Sequence, residues 1–171
     1  VLSQTNIKEV SKEKFKIDNF ENPVFCNLET KDYVESNLNK KFDLNHFIKN
    51  PKEYKSCALQ YLKVADVFIS AHYWDPASPK IFNQNDLNKL NNLKVVGDIT
   101  CDVDGSVPTT IRSSTIDKPN FYIDRNTFKE TFGEGLAIMA VDNLPSELPR
   151  DSSKEFGDGI VSEVIPYILN E

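Results

Sequence analysis

Carboxylates stand out first. Asp98, Asp102 and Asp104 follow closely on an apolar run that ends at Asp98. Three hard oxygen donors at that spacing could hold Mg2+ or Ca2+. The competing reading is a turn rich in Asp and Gly, its carboxylates solvated. His72-Tyr73-Trp74 closes another apolar run. These residues either face a ligand or pack the edge of a sheet, with one polar atom of each aromatic kept wet. Arg112 and Arg150 could clamp a carboxylate, though an ion pair would employ either one equally well. Cys101 has no His or Cys at catalytic spacing and reads as a small buried residue. His46 lies in a polar stretch and reads as a surface histidine, and Lys12, Lys14 and Lys16 as a solvated face. Last come Asp142 and Asn143, a carboxylate and an amide at the end of the apolar run Leu136 to Val141, ahead of Pro145 and Pro149. Neither strand nor helix continues through those prolines, so the polar pair is delivered into a rigid loop.

The elements that would position these groups alternate along the chain. Short apolar segments at about 7–10, 66–71, 93–98 and 136–141 read as strands, and helix-like stretches separate them. Val1 to Thr5 reads as the last turn of a helix, Val24-Phe25-Cys26 as an edge strand, and 42–48 as a helix stopped before Pro51. Tyr54 to Val64 carries apolar residues at helical spacing, Asn83 or Asn85 caps a helix through Leu87, and Phe121-Tyr122-Ile123 is a further apolar segment. Asp151-Ser152-Ser153 offers a cap for a terminal amphipathic helix, Ser153 to Leu169, which Pro166 would kink. The pattern is that of a parallel α/β sheet. Each strand ends in a polar cluster: Ser11, His72-Tyr73-Trp74, Asp98 to Asp104, and Asp142-Asn143. In a doubly wound sheet such clusters share one edge and form one crevice, where ligands bind.

The totals narrow the choice. The chain has 171 residues, 39% apolar and 27% charged, which suits one globular domain or one domain and part of another. A net charge of −6 argues against a general nucleic-acid binder. No apolar run reaches membrane-spanning length, and Val1 onward lacks the apolar core of a signal peptide. Three widely spaced cysteines, Cys26, Cys57 and Cys101, suggest reduced thiols and a cytoplasmic location. Their spacing is not that of a zinc site, and two histidines, His46 and His72, are few for a metal centre. The chain opens without Met, which points either to removal of an N-terminal part by processing or to a portion of something longer. A dinucleotide fold carries G-x-G-x-x-G between its first strand and helix. That motif is missing here, and the cluster Gly133 to Gly135 precedes a strand.

Two resemblances follow. Asp102 to Ser106 resembles the D-x-D-G-[TS] motif of haloacid-dehalogenase-like phosphatases, although the apolar strand ends four residues early, at Asp98. The stretch Val141-Asp142-Asn143-Leu144-Pro145-Ser146-Glu147-Leu148-Pro149-Arg150-Asp151-Ser152-Ser153 resembles the saccharopine dehydrogenase family, in particular the lysine-ketoglutarate reductase half of aminoadipic semialdehyde synthases. Asp66 to Trp74, Val95 to Asp102, and Ser114 to Pro119 with Tyr122 and Asp124 agree with it in order, so the resemblance runs from about Ile7 to the C-terminus.

The resemblance implies an alanine dehydrogenase-like plan in which a catalytic domain precedes a Rossmann domain. The fold expected here is therefore an incomplete Rossmann-like parallel sheet, its first βα unit and Gly-rich turn missing, plus a C-terminal return helix. Residues 1–145 would be the partial NAD(P)-binding domain, with an insertion at about 16–56, and 146–171 a helical segment returning to an upstream catalytic domain. No catalytic or metal residue is assigned in this chain. The resemblance implies cofactor contacts from Tyr73, Ile99, Val141, Asp142, Asn143 and Leu144. Ser11 falls where NAD enzymes carry Asp or Glu for the ribose 2′-hydroxyl. With Lys12 and Lys14 following, it favours NADP over NAD. The implied activity is oxidation or reduction of the CH–NH group of a lysine–2-oxoglutarate adduct. The implied partners are the dinucleotide and the upstream half of the same protein, with homo-oligomerisation open. A Mg2+-dependent phosphatase using Asp102 and Asp104, and a non-catalytic interaction module, are the alternatives.

Overall fold

A computed structural model describes Leu2 and residues 5–169. The expected helical turn at Val1 to Thr5 lies largely outside the described residues. The first described elements are strand β1 (Lys8–Glu9), helix α1 (Lys12–Ile17) and strand β2 (Val24–Phe25). Ser11 caps α1, its hydroxyl accepting from the Lys14 amide at 3.3 Å. β1 and β2 pair in parallel in a two-stranded sheet of their own. The expected union of the strand at 7–10 with the later strands is therefore not made. No strand among the described residues lies between β1 and the central sheet to carry the ladder across.

Residues 16–56 are more ordered than their polar composition suggests. Helix α2 (Thr30–Tyr33) runs into strand β3 (Val34–Ser36), which pairs antiparallel with β4 (Tyr54–Ser56) across helix α3 (Leu44–Lys49). The helical spacing from Tyr54 misleads, because helix α4 spans only Leu59–Leu62. Tertiary packing overrides the local pattern. Tyr54 is buried, its ring 5.1 Å from Phe47 and 5.8 Å from Phe42, and β3 supplies its backbone partners. His46 is partly exposed as expected, its Nδ1 3.0 Å from the Tyr54 hydroxyl.

The central sheet contains β5 (Val67–Ser70), β6 (Val95–Asp98), β7 (Asn120–Ile123), β8 (Glu130–Thr131) and β9 (Leu136–Met139), in the order β5-β6-β9-β7-β8. β5, β6 and β9 are parallel. β7 and β8 run antiparallel, so the sheet is mixed and only its first half has the expected parallel form. β7 can lie directly beside β9 in this sense because the short segment 124–135, with β8 inside it, turns the chain back. One face packs on Phe82, Leu87, Leu90, Leu93 and Val107 through Val96, Ile138, Leu136, Phe121 and Ile123, all buried. The 3-10 turn Gln84–Lys89 carries Leu87 into this core, with Asn83 at its N-cap and the Asp86 carboxylate accepting from the Asn83 amide at 3.1 Å.

The terminal helix begins earlier than its polar cap suggested. α5 spans Pro149–Gly159, with Leu148 at the N-cap and Pro149 in the first turn, where its fixed φ and missing N–H cost nothing. Asp151, Ser152 and Ser153 are thus inside the helix. A π turn over Ile160–Val164 leads into α6 (Ile165–Leu169). Pro166 crowds the carbonyl four residues back, at Ser162, and the wider turn there accommodates it. No residue of this helical run is buried. No helix among the described residues is long and apolar enough to cross a membrane.

Candidate functional site

The parallel register brings three strand ends together. Ser70 lies beside Asp98, and Gly97 beside Met139. Tyr73, Ile99 and Val141 therefore follow the carboxyl ends of three adjacent strands, the edge where open α/β sheets place ligands. Tyr73 is 91% exposed and Ile99 40%. Val141 is buried, Asp142 and Asn143 are exposed, and Leu144 is half-buried at the start of the 3-10 turn Leu144–Glu147. Asn143 also lines an open cleft of about 600 Å3 with Pro145, Ser146, Pro149, Ser152 and Phe156. Ser11 stands apart at the end of β1, in the separate two-stranded sheet.

The loops carrying these residues are held from below. Asp98 is fully buried. One oxygen accepts from the Thr100 amide at 3.2 Å and the Thr100 hydroxyl at 2.6 Å; the other accepts from Thr110 at 2.6 Å. The carboxylate thus folds the loop after β6 onto itself. Its Asp-x-Thr portion is an Asx-type turn legible in the sequence, whereas the Thr110 contact, twelve residues on, is not. Cys101 sits at φ +57°, and its thiol donates to the Val141 carbonyl at 2.9 Å. Burial pushes this thiol's pKa up, helped by Asp98, Asp142 and Asp102, so at neutral pH it remains a donor. Ser114 fixes the end of β9 by donating to the Pro119 carbonyl at 2.7 Å and accepting from the Ala140 amide at 3.1 Å. Sequence reasoning passed over Asp98, Cys101 and Ser114 as positioning residues, since their partners lie on other loops.

Other candidates resolve differently. His72 turns inward, its Nδ1 3.2 Å from the Ser70 hydroxyl and its ring 5.9 Å from Tyr33. Its Nε2 is buried with no hydrogen-bond partner among the described residues. Burial lowers its pKa, opposed by Asp98 and Asp102. The Trp74 indole donates to the Pro79 carbonyl at 3.3 Å, which makes it a loop anchor. Arg112 pairs with Glu130 through two nitrogens, at 2.9 and 2.6 Å, and lies over Phe121. It is an ion-pair residue, and that hydrogen bond holds the Glu130 pKa below its ordinary value. Lys12 pairs with Asp32 at 2.6 Å and Lys16 donates to Gln60 at 3.2 Å, while Lys14 is exposed.

The acidic loop does not favour the phosphatase reading. Asp98, at the strand end where a nucleophile would sit, is buried and engaged by threonines. Asp102 and Asp104 are exposed beyond it, and no group of three or more His, Cys, Asp or Glu among the described residues is placed to hold a metal.

Three parallel strands with loops converging at their carboxyl ends define a Rossmann-like α/β domain. Comparison makes the assignment definite: residues 24–170 match the model of the alanine dehydrogenase/PNT C-terminal domain, and the chain belongs to that family. Among characterised proteins it is similar to an alpha-aminoadipic semialdehyde synthase of Arabidopsis thaliana, 30% identical over 142 residues, 78% of this chain and 13% of that protein. It is also similar to a saccharopine dehydrogenase [NAD(+), L-lysine-forming] of Yarrowia lipolytica, 29% identical over 115 residues, 65% of this chain and 30% of that protein. A mitochondrial alpha-aminoadipic semialdehyde synthase of Bos taurus is 25% identical over 124 residues. The chain spans well under a third of the length of the semialdehyde synthases and less than a third of the Yarrowia protein.

Proposed function

We propose that this chain is the cofactor-binding portion of a saccharopine dehydrogenase/lysine-ketoglutarate reductase-like oxidoreductase. It would act with NAD(P) on the CH–NH group of a lysine–2-oxoglutarate adduct. The observation that carries the reading is the convergence of Tyr73, Ile99 and the 141–144 loop at the carboxyl ends of β5, β6 and β9 in a chain of this family. The residues present suit the nicotinamide half of a dinucleotide. Tyr73 and Ile99 offer apolar surface, and Asp142, Asn143 and the backbone through Leu144 offer hydrogen bonds to an amide or ribose. When bound, the nicotinamide would supply the hydride chemistry, and these residues would orient its ring and exclude water.

In this reading, residues 1–145 hold the cofactor and 146–171 return to a catalytic domain encoded upstream. Phe156, Ile160, Val164 and Ile168 recur every four residues along the helical run and would form its docking stripe. NADP is the favoured cofactor, supported by Ser11 in place of a carboxylate and by exposed Lys14 nearby. The Yarrowia relative's name carries NAD(+), so the choice needs its own test. The cytoplasm is the proposed compartment, supported by three free cysteines.

Fluorescence titration with NADPH and NADH tests the reading. The 171-residue chain binds either only weakly, with Kd above about 1 μM, because its sequence lacks the Gly-rich turn that grips pyrophosphate. The polypeptide encoded together with its upstream sequence binds more tightly. There, Asn143→Ala weakens binding about tenfold, and Lys14→Glu shifts preference from NADPH toward NADH. Submicromolar binding by the 171-residue chain overturns the divided site. No binding by the longer polypeptide overturns the cofactor reading, and an interaction module then takes its place.

A further inference from the structure

The opposite end of the central sheet carries a second polar cleft. β9 starts at Leu136, beside Ile123 at the close of β7, and Ala137 lies beside Val95 at the start of β6. Arg125, two residues beyond β7, therefore stands at the amino ends of the parallel strands. Tyr73, Ile99 and the 141–144 loop stand at the carboxyl ends, a strand length of roughly 13 Å away. Arg125 and Asn126 face Gln84, Asn85 and Asn88 of the 3-10 turn across a cleft of about 310 Å3. Small-ligand pockets begin at about 300 Å3.

Both walls of the cleft are held in place. Leu87, between Asn85 and Asn88, is fully buried, and Asp86 pairs with Lys89 at 2.8 Å. On the other wall, one Asp124 oxygen accepts from the Asn126 amide at 3.0 Å, the Thr127 amide at 2.7 Å and the Thr127 hydroxyl at 2.8 Å. Arg125 reaches to the end of the 3-10 turn, where one terminal nitrogen donates to the Leu90 carbonyl at 2.8 Å and the other to the Leu93 carbonyl. Two carbonyls position the guanidinium without neutralising it, and its further N–H donors stay unspent. Arg112 shows the contrast, with two nitrogens on the Glu130 carboxylate. Arg125 enters none of the ion pairs among the described residues. Burial pushes its pKa down, and no acidic neighbour offsets that. A half-buried charge of this kind is unfavourable until an anion meets it.

The lining selects the anion. One guanidinium, on a chain of net charge −6, balances a single negative charge and disfavours a phosphate dianion. Its planar fork matches a carboxylate. Gln84, Asn85, Asn88 and Asn126 each offer donors and an acceptor without charge, so they suit an ammonium or an amide equally. No apolar side chain lines the cleft among the described residues, which points to a ligand that is polar throughout.

We propose that this cleft binds a small carboxylate of the α-amino-acid class, its carboxylate on Arg125 and its amino group among the carboxamides of Gln84, Asn85, Asn88 and Asn126. The site is built apart from the cofactor edge, so it requires no dinucleotide and stands whether or not the cofactor reading holds. NMR of the 15N-labelled 171-residue chain tests it, with L-glutamine, L-serine, acetate and inorganic phosphate as probes. Glutamine or serine moves the Arg125 Nε–H and the side-chain amides of Asn85, Asn88 and Asn126 saturably, with a Kd of about 1 mM. Acetate binds about tenfold more weakly, and phosphate more weakly than either amino acid. Arg125→Gln removes the response. Because that change also frees the Leu90 and Leu93 carbonyls, Asn88→Leu, at an exposed position, serves as the second variant and weakens amino-acid binding about fivefold with the melting temperature unchanged. Saturable shifts with neither amino acid overturn the proposal and leave Arg125 a clamp for the 3-10 turn. Tighter binding of phosphate overturns the carboxylate class, and unaltered binding in Asn88→Leu overturns the location. Displacement of the amino acid by NADPH would seat it at the carboxyl ends of the strands and overturn the proposal as well.

Discussion

His72 shows how far one residue's role depends on its surroundings. In the sequence it is one of three residues that could face a ligand; in the fold it is turned inward, one nitrogen buried with no partner among the described residues. Burial, opposed by Asp98 and Asp102, holds its pKa below the ordinary 6.5. The unfolded chain therefore takes up a proton near pH 6.5 while the native imidazole stays neutral. The stability this contributes is whole above that pH and is lost as pH falls toward the native pKa. Melting temperature should fall through this acid window in the native chain, and His72→Gln should flatten the decline. An unchanged slope in the variant would show that other groups cause it. Asp98 makes the complementary point, because three hydroxyl and amide donors satisfy a carboxylate that spacing alone had offered as a metal ligand. Donor count along the chain says which groups are near in sequence, and burial decides which of them are already occupied.

At the scale of elements, apolar runs predicted the parallel strands well. β5, β6 and β9 fall inside the expected segments, since near-continuous apolar character is the mark of strands in a parallel sheet. β4 escaped because Tyr54 and Ser56 owe their extended form to β3, twenty residues earlier. The start of β9 depends on a residue that is easily overlooked. Gly135 has φ +115°, and a Cβ there would press on the Ile123 carbonyl of β7. Gly135→Ala combines a disfavoured backbone region with a backbone clash and should cost about 2–4 kcal/mol. Denaturant unfolding of the variant measures it, and a loss below about 1 kcal/mol would mean the turn relaxes freely.

At the scale of the molecule, the notable feature is unfinished burial. The chain has a core beneath one face of its central sheet, exposed Val67, Ile69 and Val95 on the other, and a terminal helical run with no buried residue. A helix that buries nothing contributes little to global stability. A chain ending before Pro149 should lose helical circular dichroism yet melt within about 2 °C of the original. Loss of cooperative unfolding would show that the helix packs on the body.

The sequence by itself determined the fold class, the positions of the three parallel strands, and the polar residues at their ends. Those depend on local apolar periodicity and on prolines and glycines that act where they stand. It also carried the family resemblance, in the stretch from Val141 to Ser153 and in three shorter segments. Only the tertiary structure decided that β1 and β2 stand outside the central sheet, that β7 and β8 run antiparallel, and that Asp98 serves a loop. It likewise decided that Cys101 ties the loop after β6 to Val141. The Asp98 and Cys101 contacts reach partners 12 and 40 residues away, and the strand pairings join separate segments of the chain, so composition and periodicity carry no information about which groups meet.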